Sequence, residues 1–271
     1  MADNESVQID VEKIIRDRAG DRHIPAFVIR WIKKFIHEDF LNDYFRKGTT
    51  GIEFASGSLE HLGVTVKVEG LENIPRDGRF TFAGNHPLGG IDALGVIAAL
   101  GQKYDGQIAF LANDFLMNLK QIAEYLVPVN KMGRQSGQLA GQVKGIFDSD
   151  RQILIFPAGQ CSRRYDGVIQ DCAWKKTFIS KSRESQRDIV PMWFSGQNSR
   201  RFYAIDRICR ALRIKLNIPM FFLPDELYRG KGKTFRLVIG RPIPWQTFTQ
   251  DKKDTEWAAW VRSKTYELAT L

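Results

Sequence analysis

The chain has 271 residues, of which 43% are hydrophobic and 26% are charged, and its 40 Lys and Arg against 31 Asp and Glu give a formal net charge of +9. A chain of this length and composition buries a substantial core, which excludes disorder for most of it. Three cysteines without a CxxC spacing argue against a disulfide framework and against a structural zinc site. We therefore expect a folded protein of a reducing compartment.

The apolar segments and the charges are distributed unevenly. The first 30 residues contain no apolar run of the kind that a secretory signal needs, so we expect no export. The longest strongly apolar runs, 95–100 and 218–223, are much shorter than the roughly 18 to 20 residues that span a bilayer. Residues 163–215 carry 13 Lys and Arg against five Asp and Glu. Such a local field suits an anionic partner: lipid head groups, a phosphorylated cofactor or nucleic acid.

Residues 25–47 predict an amphipathic helix, because their apolar side chains recur at a spacing of three and four. Two interpretations remain open: a helix packed on the core, or a helix lying in a membrane interface. We expect residues 1–60 to form an N-terminal helical extension and residues 61–271 to form the main domain. The predicted apolar stripe is Phe27, Val28, Trp31, Ile32, Phe35, Ile36, Phe40, Leu41, Tyr44 and Phe45, opposite Arg30, Lys33, Lys34, His37, Glu38 and Asp43.

Further along the chain, short apolar strands alternate with helical segments. This alternation predicts a single α/β domain whose central sheet is mostly buried and flanked by helices. Ligands of such folds bind at the loops that leave the strand ends. The predicted strands are 64–68, 80–83, 153–156, 189–194 and 235–239, and the predicted helices are 91–100, 136–148, 174–183 and 201–215.

The loop 84–92 is the first candidate for chemistry. It places His86 directly after a predicted strand, two glycines in the turn, and Asp92 at the start of the following helix. A carboxylate that holds the Nδ1 proton of an imidazole leaves the other ring nitrogen as a base and stabilises the imidazolium that forms. A His before a Pro in a loop is also compatible with a purely structural role.

The second candidate is the loop 156–164, which leaves a predicted strand through Pro157 and Gly159. It then presents Gln160, Ser162, Arg163 and Arg164, the chemistry of a phosphate or oxyanion cradle. A strand-ending turn with solvated arginines is the structural alternative. We assign no catalytic role to Cys161, because most free cysteines are small core residues.

Together these blocks resemble the glycerolipid (lysophosphatidic-acid-type) acyltransferase superfamily. The resemblance covers about residues 64–245 and depends on the order of its motifs. These are the lead-in 68–75, Asn85-His86 with a nearby Asp, Phe-Pro-x-Gly-x-x-Ser at 156–162 and Ile-Val-Pro at 189–191. Residues 131–134 occupy the place of the acceptor-binding block of the family.

The sequence departs from the family pattern in two places. Five residues separate His86 from Asp92 where four are usual, and the usual Glu and Arg of the second motif are Ala158 and Cys161. The pattern is more similar to a divergent bacterial branch, sometimes called hemolysin-like, whose members resemble enzymes that add a second acyl chain to amino-acid lipids. The resemblance leaves lysophosphatidic acid and a lyso-amino-acid lipid both open as acceptor.

The resemblance implies direct acyl transfer from an acyl thioester, acyl-ACP or acyl-CoA, to a lysolipid hydroxyl. His86 is the implied base and Asp92 its partner, with no metal and no cofactor beyond the co-substrate. Membrane lipids and the acyl carrier protein or coenzyme A are the implied partners, at the cytoplasmic face of a membrane, the bacterial inner membrane, as a peripheral protein. The implied substrate-binding residues are Asn85, Lys131, Arg134, Gly159, Gln160, Ser162, Arg163 and Arg164.

Other functions fit the sequence less well. A serine hydrolase needs a G-x-S-x-G elbow, which the chain lacks. His23, His37 and His61 have no paired spacing that suits a metal. The basic region contains aromatic residues, but no nucleic-acid-binding signature accompanies it. A non-catalytic protein of the same fold that binds membrane lipids stays as the alternative, because Ala158 and Cys161 replace motif residues.

Overall fold

Strands and helices alternate along the chain in the computed structural model, which describes residues 25–112, 119–129, 137–214 and 216–271 together with positions 10, 12, 13 and 16. The strands are β1 (Thr65–Glu69), β2 (Phe80–Gly84), β3 (Ile108–Ala112), β4 (Leu126–Pro128), β5 (Gln152–Ile155), β6 (Arg163–Tyr165), β7 (Val168–Gln170), β8 (Asp188–Phe194) and β9 (Thr234–Ile239). The α-helices are α1 (Ala26–Phe35), α2 (Glu38–Phe45), α3 (Gly51–His61), α4 (Ile91–Lys103), α5 (Gly137–Asp148), α6 (Thr177–Glu184), α7 (Arg200–Ala211), α8 (Leu223–Arg229) and α9 (Asp254–Glu267).

The main sheet has seven strands in the order β1-β9-β8-β2-β5-β3-β4, and β6 pairs with β7 in a separate hairpin. Neighbouring strands of the main sheet run parallel except for β8 and β9, which are antiparallel. β2 lies at the centre, where Phe82 is opposite Leu154 of β5 and Val190 of β8. The α/β prediction is confirmed. The loops that follow β2, β5 and β8 therefore leave the sheet side by side.

The central strands are apolar because helices cover both faces of the sheet. Phe82 and Leu154 belong to the larger core cluster with Phe54 of α3 and Ile97 of α4. On the other face, residues of α6 and α9 form a second cluster around Ala83. Val143 and Phe147 of α5 form a third cluster with residues of β3, β4 and β5. The strand ends near β2 are thus fixed from both sides.

The N-terminal segment differs in part from the single amphipathic helix that the sequence predicts for 25–47. The helix breaks at His37, whose φ of +57° is left-handed, so α1 and α2 are separate helices. His37 donates a ring hydrogen bond to Asp225 at 3.0 Å and stacks on Tyr228, and Glu38 is buried. Both residues therefore face the protein and not the predicted polar side, because a left-handed residue rotates α2 relative to α1.

The exposed face of α1 keeps two large aromatic side chains. Phe27 and Trp31 are 66% and 63% exposed, whereas Ile29 is buried and Phe35 packs edge-on against Phe222 at 5.2 Å between ring centroids. Over the part of the chain that the structure describes, no helix is both long and apolar enough to cross a bilayer. The helix α1 thus contacts the core through one side and presents aromatic residues on the other.

Many cations of the basic region 163–215 are neutralised by carboxylates. Arg163 and Arg210 both pair with Asp206, Arg183 with Asp254, and Arg201 with Asp225. Arg187 is fully buried, where it donates to backbone carbonyl groups such as that of Phe147 at 2.8 Å. The field that the sequence predicts for this region is therefore carried by fewer residues than the composition indicates.

Candidate active site

His86 and Asp92 meet at the carboxyl end of the central strand β2. The Nδ1–H of His86 donates to Asp92 Oδ2 at 2.9 Å, and the Asp92 side chain is completely buried. Asp92 is the second residue of α4, so its carboxylate lies at the positive end of the helix dipole. The same Oδ2 accepts the N–H groups of Leu88 at 2.9 Å and Gly89 at 3.1 Å. The five-residue spacing is absorbed by this turn, in which Gly89 adopts a φ of +88°.

The electrostatics of the pair favour an ion pair. Burial disfavours the imidazolium, but the Asp92 carboxylate and the sulfur of Cys161 outweigh it and hold the pKa of His86 well above its ordinary value. Burial likewise opposes ionisation of Asp92, yet His86 and the backbone N–H groups of Leu88 and Gly89 keep the pKa of Asp92 below its ordinary value. Asp92 is thus an anion at neutral pH, and His86 is a strengthened base at its other ring nitrogen.

Two side chains of the next loop, Phe156 and Cys161, surround the imidazole. Phe156 stacks on the His86 ring with 4.2 Å between centroids and 15° between planes. Cys161 is buried, and its Sγ fills the space beside Gly89, since a Cβ added there would lie 2.6 Å from it. The ring plane of His86 is therefore fixed by stacking as well as by Asp92. Sequence reasoning gave Cys161 no role, and nothing in its spacing indicated contact with His86.

The loop after β5 turns at Gly159, whose φ of +67° is left-handed. Its N–H donates to the carbonyl of Phe156 at 2.9 Å, and the N–H of Ser162 donates to the carbonyl of His86 at 2.7 Å. The Gln160 amide donates to the sulfur of Cys172 at 3.6 Å. The hydrogen bond from Ser162 to His86 thus joins the two predicted motifs directly. The backbone N–H groups of Gln160 and Cys161 lie in sequence between those of Gly159 and Ser162, which already donate to carbonyl groups.

Asp171 connects the two motif loops and was missed from the sequence. Its Oδ1 accepts the His86 N–H at 3.2 Å and the Ser162 hydroxyl at 2.6 Å, while its Oδ2 accepts the Trp174 Nε1–H at 2.9 Å. The carboxylate is 2% exposed, and burial raises its pKa above the ordinary value. Its backbone N–H donates to the Tyr266 hydroxyl of α9 at 2.8 Å. The only sequence signal was a lone carboxylate just after a short hairpin.

The predicted basic residues of this loop have different environments. Arg163 is buried, pairs with Asp206 at 2.8 Å and lies 4.9 Å above the Phe202 ring, so protein groups occupy its guanidinium. Arg164 is exposed, and its guanidinium lies 5.7 Å from the centroid of the Tyr203 ring. Of the two arginines, Arg164 is the one whose guanidinium is accessible to a substrate.

Asn85, just after the carboxyl end of β2, is hydrogen-bonded to the last residue of β8. Its Nδ2 donates to the carbonyl of Phe194 at 2.9 Å, and its Oδ1 accepts the N–H of the same residue at 2.7 Å. The structure thus brings Asn85, His86, Asp92 and the loop 159–164 to one edge of the sheet. Lys131 and Arg134 lie outside the described residues.

An acyltransferase family model matches residues 13–270 of this chain. A lyso-glycine lipid O-acyltransferase of Bacteroides thetaiotaomicron is 44% identical over 272 residues, which cover 99% of this chain and 100% of the relative. A protein of the same name from Phocaeicola vulgatus is 45% identical over 99% of this chain and 98% of the relative.

Among solved structures, the 1-acyl-sn-glycerophosphate acyltransferase of Thermotoga maritima has a similar fold. Its TM-score is 0.51 and its sequence identity 17%, over 96% of this chain and 89% of that chain. At this identity the match supports the α/β architecture with its mostly parallel sheet and carries no information on substrate.

Proposed function

Because this chain belongs to the acyltransferase family and is an O-acyltransferase, we propose that it transfers a fatty acyl group from an acyl thioester to the hydroxyl of a lysolipid. The observation that carries the chemistry is the buried His86–Asp92 pair at the end of the central strand, with Nδ1 of His86 committed to the carboxylate. The alternative of a non-catalytic lipid-binding protein is set aside, because both full-length relatives are named O-acyltransferases.

In the proposed reaction the acceptor oxygen attacks the thioester carbonyl carbon while Nε2 of neutral His86 takes the hydroxyl proton. The carbonyl π electrons move onto oxygen, and the tetrahedral oxyanion then collapses as the carbon–sulfur bond breaks. The departing thiolate receives the proton from Nε2, which yields an ester and a free thiol. No acyl-enzyme forms. Asp92 stays ionised throughout, in keeping with its lowered pKa, and stabilises the imidazolium.

The oxyanion needs hydrogen-bond donors near His86. Gly159 and Ser162 already use their N–H groups on Phe156 and on His86, so we assign this role to the backbone N–H groups of Gln160 and Cys161. The hydroxyl of Ser162 and the guanidinium of Arg163 have protein partners and support the loop in this proposal. Arg164 supplies accessible positive charge on the substrate side.

For the acceptor, the names of the two relatives favour a lyso-glycine lipid over lysophosphatidic acid. For the donor, acyl-ACP and acyl-CoA carry the same thioester, and we propose one of these two as co-substrate. We further propose peripheral attachment to the cytoplasmic face of the bacterial inner membrane, supported by the exposed Phe27 and Trp31 beside Arg30 and Lys34 of α1.

The test is a transfer assay with the purified full chain, radiolabelled acyl-ACP or acyl-CoA, and two acceptors in mixed micelles: a lyso-glycine lipid and lysophosphatidic acid. We expect ester product on the lyso-glycine lipid. Product on lysophosphatidic acid alone would contradict the acceptor assignment, and absence of product from a folded chain with either donor on both acceptors would contradict the proposed function.

A further inference from the structure

A cleft of about 480 Å³ opens between the turn that precedes α7, the end of α8 and the start of β9. Three of its lining residues, Leu88, Ile91 and Arg164, belong to the two motif loops of the proposed catalytic site. The other lining residues lie outside these motifs. Its lining includes the apolar residue Leu88 and five polar residues: Arg164, Asn198, Arg200, Arg229 and Lys233.

The wall of the cleft is strongly cationic. The one carboxylate among the described residues that line it, Glu226, accepts the Ser199 N–H at 2.7 Å and the Ser199 hydroxyl at 2.5 Å. Arg229 is neutralised by Asp225 at 2.6 Å. Among the described residues, no carboxylate lies within 4.0 Å of the charged groups of Arg200, Lys233 or Arg164. Three cations are therefore available to a ligand, which fits an anion.

A second observation is independent of the charge. Asn198 lines the cleft and is 6% exposed, yet its Nδ2 donates to no group among the residues that the structure describes. Its backbone N–H donates to the Tyr203 hydroxyl at 3.1 Å, which fixes the turn. Burial raises the pKa of Tyr203 to about 12, so the phenol adds no negative charge. A buried amide without an acceptor is costly, and a ligand oxygen would satisfy it.

The cleft adjoins the proposed catalytic pair. Leu88, which lines it, donates its backbone N–H to the Asp92 carboxylate. Tyr203 also lines the cleft and packs in one cluster with Cys161. The sulfur of Cys161 is one of the groups that raise the pKa of His86. One part of a substrate can thus lie in the cleft while another part reaches His86.

We propose that this cleft is a binding site for the anionic group, a carboxylate or a phosphate, of one of the two substrates. Asn198, Arg200, Lys233 and Arg164 form the site. The proposal rests on the proposed function for the identity of the substrates. The two sources are the head group of the acceptor lipid and the phosphates of the thioester donor, and they share the chemistry that the cleft recognises.

The test uses Asn198→Asp, which places a carboxylate where the free amide lies, and Lys233→Ala. Arg207→Ala is the matched control, because Arg207 is an exposed cation of α7 that does not line the cleft. Binding of N-acetylglycine and of pyrophosphate to the full chain is measured by calorimetry at low salt. We expect the wild type to bind at least one probe, both cleft variants to bind it about tenfold or more weakly, and the control to be unchanged.

Steady-state kinetics then distinguish the source. A rise of about tenfold in KM for the lysolipid, with KM for the donor unchanged, assigns the anion to the acceptor, and the reverse assigns it to the donor. Failure of the wild type to bind either probe, or unchanged binding and unchanged KM values in both cleft variants, would overturn the proposal. Calorimetry measures binding without turnover. An inactive wild type would therefore contradict the proposed function, while the calorimetric result would still show whether the cleft binds an anion. If Asn198→Asp fails to fold, the same binding and kinetic measurements are made with Lys233→Ala and Arg200→Ala, because both side chains are exposed.

Discussion

Asp92 controls both the orientation and the basicity of His86. It holds Nδ1 at 2.9 Å, and the pKa of the imidazole is raised well above its ordinary value. A base acts only when it is deprotonated, so for His86 in the proposed role we expect the transfer rate to fall as the pH drops through its pKa. In Asp92→Asn the anion is lost, and we expect the acid limb of the pH profile to move to lower pH. We also expect the maximal rate to fall by about 100-fold or more, since the imidazolium is no longer stabilised.

The pH profile of kcat, measured beside Asp77→Asn, checks this prediction. Asp77 is an exposed carboxylate in the turn before β2, so its variant changes the net charge without touching the pair. An acid limb at the same pH in Asp92→Asn and in the wild type would contradict the assignment of that limb to His86.

Asp171 positions the His86 backbone and the Ser162 hydroxyl with one buried carboxylate oxygen. In Asp171→Asn an amide NH2 group replaces one side-chain oxygen, and this group donates hydrogen bonds and cannot accept those that the replaced oxygen receives. We expect the free energy of unfolding to fall by about 1–3 kcal/mol, as for an unsatisfied buried donor. We also expect kcat to fall more than KM rises, because the His86 loop moves relative to the loop 156–164.

Denaturant unfolding and steady-state kinetics measure both effects, with Asp166→Asn in the nearby hairpin turn as control. A variant with the stability loss but wild-type kcat would show that Asp171 is structural only.

The helix α1 has one side that faces the protein and one side that is exposed. Phe27 and Trp31 are exposed, and burying two such aromatic side chains in a membrane interface stabilises binding by about 1.5–3 kcal/mol each. We expect the double substitution of Phe27 and Trp31 by Ser to weaken binding to phosphatidylglycerol vesicles by about 100-fold or more. Vesicle sedimentation measures this, with Val168→Ser, an exposed apolar residue of the β6–β7 hairpin, as control. Equal binding of the double variant and the control would contradict membrane docking by α1.

These substitutions test membrane docking by α1 more specifically than a deletion of residues 1–47 would. Tyr44 and Phe45 of α2 are buried in the main core, and the Tyr44 hydroxyl donates to the carbonyl of Phe54 at 3.1 Å. Their loss would destabilise α3, so weaker vesicle binding would have two explanations.

Sequence patterns predicted β1, β2, β5, β8 and β9 and the helices α4 to α7 near their observed positions, and gave no prediction for β3, β4, β6, β7, α8 and α9. The strand 80–83 and the helix 91–100 match β2 and α4 to within a few residues, because apolar runs and their flanking glycines are local signals. The break at His37 depends on contacts with Asp225 and Tyr228, which are far away in the sequence. The Asp166-Gly167 turn between β6 and β7 was a readable hairpin signal that we missed.

The resemblance of the whole chain to the glycerolipid acyltransferase superfamily is confirmed by the family match and the full-length relatives. The motif order brought His86, Asp92 and the loop 156–162 together because their strands are neighbours in the sheet. The contacts of Asp171 and the cleft around Asn198 combine distant segments: the carboxylate of Asp171 holds the backbone of His86, 85 positions away. No local pattern encodes such a meeting, so the sequence alone did not predict it.

In the proposed mechanism His86 is the base of a direct acyl transfer. The most direct measurement is the rate of ester formation by His86→Ala beside the wild type, at equal and verified thermal unfolding temperature, with each thioester donor and the lyso-glycine lipid. We expect the rate to fall by about 100-fold or more, since a general base contributes at least that much. A folded His86→Ala protein that transfers acyl chains at a near-normal rate would contradict it.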